Sequence, residues 1–72
     1  MSIEKKFFSE LESISEFEGV QNVLIDLNSK TITIDYDEDM LSEVERNIIN
    51  STVVFYNEKR TDIGYRVIPR SY

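Results

Sequence analysis

The stretch "GVQNVLIDLNSKTITIDYDEDM", residues 19–40, decides the fold. Val23, Ile25 and Leu27 occupy alternate positions, the period of a strand with one buried face. Asn22 and Asp26 point the opposite way, together with one apolar residue, Leu24. "NSK" turns the chain, after which Ile32, Ile34 and Tyr36 repeat the alternation. Two alternating runs joined by a short polar turn predict a β-hairpin.

Upstream, Ile3, Phe7, Leu11 and Ile14 recur at helical spacing, with Phe8 and Phe17 beside them, and predict an amphipathic helix over 3–17. Ser2 offers an N-cap, and Gly19 suits the left-handed residue that closes a helix. Lys5 and Lys6 in the first turn and Glu16 and Glu18 in the last oppose the helix dipole. Packing of the aromatic stripe is expected to outweigh that penalty; the alternative is a functional need for acids at that end. Downstream, Leu41, Val44 and Ile48 form the stripe of a second helix over 40–50. Either Asp39 caps it, or Ser42 does so with Glu45 in a capping box. "STVVFYNEKRTDIGYRVIP", residues 51–69, reads as a second hairpin. In it Val53 and Phe55 face one way, Val54 and Tyr56 the other, and "NEKRTD" forms the loop. Ile63, Tyr65 and Val67 then alternate until Pro69 ends the ladder. The expected order is αββαββ in one domain spanning 1–72, of the α+β class. Both helices are expected to cover one face of a four-stranded antiparallel sheet.

The opening run resembles the middle of the heavy-metal-associated domain, the small βαββαβ ferredoxin-like module of metal chaperones. Gly19-Val20 after a helix, the alternating Val23, Ile25 and Leu27, and then Ile32, Ile34 and Tyr36-Asp37 match its spacing. "GYRV" at 64–67 is similar to its last strand. The resemblance is loose over 3–50 and close over 19–39, and it implies a fold rather than an activity. That family carries its metal on a Cys-x-x-Cys between its first strand and first helix. Here neither a strand nor a cysteine precedes the helix. In a ferredoxin-like sheet the first and last strands are antiparallel neighbours, so a C-terminal hairpin can supply both. The expectation is therefore a circularly permuted two-layer sandwich, with residues 63–69 in the inner position. The resemblance argues for the fold and against copper or zinc carriage.

Composition narrows the chemistry. The 72 residues contain no cysteine and no histidine, which removes thiol catalysis, thiolate metal sites and the commonest general base. No apolar run is long enough for a membrane span, and "MSIEKKFF" turns polar too early for a signal peptide, so a cytoplasmic location is expected. The net charge of −6 is unevenly spread. Residues 1–45 hold twelve acids against Lys5, Lys6 and Lys30, whereas residues 46–72 hold Glu58 and Asp62 against five bases. Direct nucleic-acid binding is disfavoured, because phosphate neutralisation supplies most of that affinity. A basic partner, or two copies pairing head to tail, fits the asymmetry.

Asp35, Asp37 and Asp39 match the first, third and fifth positions of a calcium loop. Met40 and Arg46 then stand where that loop needs glycine and glutamate, so the pattern fails. Acids at a strand end and a helix N-terminus are favoured by the dipole without any ligand. Phe55, Tyr56, Tyr65 and Tyr72 are expected as core aromatics rather than base-stacking platforms, since the surrounding charge is wrong for RNA. No catalytic motif stands out and no cofactor is implied, so an enzyme is not expected. The function expected is a small acidic protein-binding module, a regulator or inhibitor. In its most concrete form its carboxylates occupy a basic nucleic-acid-binding groove, as anti-restriction and anti-CRISPR proteins of phages do, an analogy from size and charge. The expected partner-binding residues are Asp35, Asp37, Glu38, Asp39 and Glu43, with Leu24 and Tyr56 on an uncovered sheet face that takes from the third strand either Val54 and Tyr56 or their neighbours Val53 and Phe55. The competing expectations are a degenerate metal-carrier-like sensing or accessory module, and a homodimeric accessory domain.

Overall fold

In the computed structural model, residues 3–71 are described, and side chains from residue 4. The expected N-cap Ser2, the Ile3 side chain and Tyr72 lie outside them. The hairpin forms as its alternation requires. Strand β1 (Val20–Asp26) pairs antiparallel with β2 (Thr31–Tyr36), with Val23 opposite Ile34 and Ile25 opposite Ile32. A bulge at Gln21 shifts the register between Val20 and Asn22. Leu27 does not point inward; it lies in the turn, 64% exposed. The strand stops at Asp26 because its carboxylate accepts the N–H groups of Asn28 (2.9 Å) and Ser29 (3.2 Å), while Lys30 turns left-handed at φ 58°. The Ser29 N–H and hydroxyl, then the Asn28 N–H, hold the Asp26 carboxyl below its usual range.

Helix α1 (Ile3–Ser15) buries Phe7, Leu11 and Ile14, the expected stripe, and ends before Phe17. Gly19 is not the left-handed closure, since among the described residues only Gly64 is a glycine with positive φ. Its role is close approach. A Cβ there would lie 2.8 Å from Leu41 Cδ2 and 3.0 Å from the Met40 carbonyl carbon.

Helix α2 (Glu43–Val54) starts at the capping box: the Ser42 hydroxyl accepts the Glu45 N–H, and the Glu45 carboxylate accepts the Ser42 N–H. Its stripe differs from the expected one. Leu41 is buried ahead of the helix, but Val44 is 68% exposed and Ile48 also faces solvent. The buried line runs through Ile49, Val53 and Tyr56, at i, i+4 and i+7. Residues 51–56 are therefore helical, not a strand, and the helix continues through a π-type turn, Phe55–Lys59. The strand propensity of "TVVFY" yields to this helical burial period.

After a 3-10 turn (Thr61–Ile63) and Gly64 at φ 84°, β3 (Arg66–Ser71) enters the sheet beside β2. It is parallel to β2, with Val67 opposite Ile32 and Arg70 opposite Asp35. Among the described residues the sheet thus has three strands in the order β1-β2-β3, mixed rather than antiparallel; no second hairpin forms, and β3 takes an edge instead of the inner position expected of residues 63–69 in a circularly permuted sheet. The direction follows from connectivity. Helix α2 carries the chain from the end of β2 back to its start, so the next strand runs the same way. The architecture is α+β, two helices over one face of a three-stranded sheet, around a core of Phe7, Leu11, Ile14, Val20, Ile32, Ile34, Leu41, Ile49, Tyr56 and Val67.

The outer edge of β3 has a specific cover. The Asn57 side-chain amide donates to the Val67 carbonyl and its oxygen accepts the Val67 N–H, both at 2.8 Å. Two residues on, Pro69 faces the same edge and has no N–H to offer.

Candidate functional site

The topology sorts the charges along the strand axis. At the end where β2 finishes lie the last turn of α1, the chain leaving β2 and the N-terminus of α2. The Asp37 N–H bonds the Gly19 carbonyl at 2.8 Å, and an Arg46 guanidinium nitrogen donates to the Glu38 carbonyl at 3.1 Å. This end therefore gathers Glu16, Glu18, Asp37, Glu38, Asp39, Glu43 and Glu45, with Arg46 and Arg70 as its bases. The opposite end holds Lys5, Lys6, Lys30, Lys59, Arg60 and Arg66 against Glu4, Asp26, Glu58 and Asp62. The Lys30 ammonium sits 4.9 Å from the Tyr65 ring centre there. One end is strongly acidic, the other mildly basic.

The expected binding residues do not act as one group. Asp35 is 1% exposed and lies on the sheet face away from the helices. Its two carboxylate oxygens accept from Arg70 Nε (2.5 Å) and Arg70 Nη2 (2.8 Å), a bidentate pair across β2 and β3. It is a structural acid, which corrects its assignment to a contact surface. Asp37 is half-buried and caps the 3-10 turn Glu38–Met40 by accepting the Asp39 N–H at 3.0 Å. Glu38, Asp39 and Glu43 are exposed at the acidic end. Leu24 is 50% exposed on the uncovered sheet face, in one row with Thr33 and Ile68. Tyr56 is not on that face. It is 1% exposed within the helix layer, and its hydroxyl donates to Glu10 at 2.8 Å. Burial, then the Glu10 hydrogen bond, push this phenol up to about 12.

Glu16 and Glu18 join the acidic end from a distant part of the sequence. The signal for them is their unfavourable place at the α1 C-terminus, where a functional need for acids is the alternative to packing and, on sequence alone, ranks below it. A groove of about 620 Å³ between the helices, lined by Ile14, Phe17, Val44 and Ile48 among others, was not legible. It exists because Val44 and Ile48 stand outside the buried stripe.

The residues present do not fit a metal. Among the described residues no three metal-ligating side chains converge. The Asp35 oxygens are occupied by Arg70, and one Asp37 oxygen is occupied by the Asp39 N–H. No described helix is long and apolar enough to cross a membrane. In comparison with known proteins, the family model described as heavy-metal-associated domain matches residues 11–54, more than half of the chain. No curated protein matches, and no solved structure does.

Proposed function

The chain belongs to the heavy-metal-associated domain family, and on that premise we propose that it is a non-catalytic protein-binding module that docks its acidic end on a basic surface of another protein. The observation that supports this is the convergence of exposed acids from three segments at one end. Glu16 and Glu18 follow α1, Glu38 and Asp39 follow β2, and Glu43 opens α2. The chain keeps the family's α-β-β-α-β order over the described residues, but its last strand lies parallel beside the strand that ends the hairpin, a place the family's last strand does not take. The family's thiolate ligands are replaced by nothing that could hold a soft metal. A partner whose basic groove binds nucleic acid, the inhibitor case, is the narrowest form of this reading.

Glu38→Gln, Asp39→Asn and Glu43→Gln together remove charge and keep shape, while sparing Asp37 and Glu45, which cap. Electrostatic steering raises association rates by about 10–1,000-fold, so the triple variant is expected to associate with the partner at least about tenfold more slowly at low salt. Raising the salt should abolish most of the difference, since the screening length is about 8 Å at physiological ionic strength. Stopped-flow association with a partner isolated on the wild-type protein measures this. Equal rates for wild type and variant would rule the acidic end out as the docking surface.

Family membership favours one second reading, a metal-sensing accessory module. The donor set speaks against it for soft metals, because zinc and copper(I) sites are built from cysteine and histidine. Isothermal titration is expected to show no sub-micromolar binding of zinc or copper(I), and calcium or magnesium at residues 35–39 in the millimolar range or undetectable. Sub-micromolar affinity for either soft metal would restore the metal reading.

A further inference from the structure

The two edges of the sheet are treated differently. On β3 the outward backbone groups of Val67 are taken by Asn57, and Pro69 offers no donor. That edge is closed to a further strand. On β1 the outward groups can be deduced from the pairing. The Arg66 N–H bonds the Lys30 carbonyl, so in the parallel ladder Ile32 and Ile34 direct their backbone groups at β3. Thr31, Thr33 and Asp35 must then serve β1, which makes Leu24–Thr33 a hydrogen-bonded pair. The backbone groups of Val23 and Ile25 consequently point to the free edge. Beyond the bulge at Gln21, this edge from Asn22 to Asp26 has no proline or lysine, and among the described residues no side chain caps it as Asn57 caps β3. It also exposes a large apolar residue on each face, Leu24 at 50% and Ile25 at 47%.

We propose that β1 is the docking edge of this protein and that its occupant is β1 of a second copy, paired antiparallel about Leu24. Two observations select a second copy. The regular segment 22–26 has Leu24 at its midpoint, and reversing it places Val23 against Ile25 of the partner. Both of these residues carry outward backbone groups, so the register satisfies them mutually. Asn22 meets the partner's Asp26, an amide against a carboxylate, and the only charge on the segment never faces its own copy. Antiparallel pairing also lays the acidic end of one copy beside the basic end of the other, so the charge polarity described above is self-complementary. The result is a six-stranded sheet whose uncovered face carries one row through Ile68, Thr33 and Leu24 into the same residues of the partner. This dimer does not depend on the acidic end having a foreign partner. Glu38, Asp39 and Glu43 enter it only through that end-to-end charge match, not through the strand pairing that holds it.

Because the chain has no cysteine, single-cysteine variants report proximity cleanly. Leu24 would form a non-hydrogen-bonded pair with its copy, in which Cα atoms approach to about 4.5 Å, within the reach of a disulfide. Leu24→Cys oxidised with diamide is therefore expected to become a covalent dimer. Glu58→Cys, in the turn that extends α2, is expected to stay monomeric under the same conditions. In sedimentation the wild-type protein should show twice the mass of the chain, and Ile25→Lys should return it to one with an unchanged far-UV circular dichroism spectrum. A wild-type monomer at all concentrations up to millimolar would overturn the proposal and leave the edge to a strand from a different protein. Cross-linking of Leu24→Cys no faster than of Glu58→Cys would overturn it equally.

Discussion

Replacing Arg70 by alanine is expected to destabilise the protein by about 3–5 kcal/mol, because it strands a buried carboxylate without its partner. Asp35 is 1% exposed in the central strand, and Arg70 supplies its charged donors in fork geometry. Domains of this size are stable by only about 5–15 kcal/mol, so such a loss should leave a measurable unfolded fraction without denaturant. The mirror experiment has a different outcome. In Asp35→Val the arginine is more than half exposed and is not left as a buried charge, and a β-branched residue takes the central strand position. That variant should lose far less, even though it breaks the same pair. Urea unfolding of both variants tests the asymmetry. If Asp35→Val were the more damaging, attraction within the pair, rather than desolvation of the aspartate, would dominate.

A loss of similar size is expected from Phe7→Ala, about 3–5 kcal/mol, as for other buried aromatics cut to alanine. Phe7 is wholly buried, and its ring centre lies 4.3 Å from Tyr56, 5.4 Å from Phe8 and 6.0 Å from Tyr65. It joins α1 to the turn that extends α2 and to the approach to β3, so the void would open where three segments meet. The side chains around it cannot all move inward at once. Circular dichroism melting should show the lost stability, with helical signal retained at low temperature. A melting temperature close to that of the wild type would mean that the aromatic cluster closes around the gap.

The parts of the fold that local pattern determines were legible. The α1 stripe, the hairpin and the Ser42–Glu45 capping box each depend on residues within a few positions of one another. Residues 51–60 were not, because two local signals compete there. Val53, Val54, Phe55 and Tyr56 favour a strand, and only the spacing of Ile49, Val53 and Tyr56 against the core decides for a helix. That decision also fixed the sheet, since a helix in place of a strand removes the second hairpin and turns β3 parallel. The site was legible in part. Glu38, Asp39 and Glu43 are exposed where the sequence suggested. Asp35 looked like one more member of an acidic run, and its alternation in β2 did not reveal that Arg70, 35 residues away, would cover it. Tyr56 lies in the core, as one of its two readings has it, but on the helical segment that replaces the expected strand rather than on a sheet.

The parallel neighbour of β2 also sets an order of events during synthesis. The hairpin closes over a short turn and can form within about 1–10 μs once residues 20–36 are free. β3 can join only after α2 has been made and has folded back, a much longer closure. Until Ser71 has left the ribosome, β2 has an open edge and Asp35 has no guanidinium to meet. The hairpin is therefore early but incomplete, and the final strand commits the nascent chain to its native sheet.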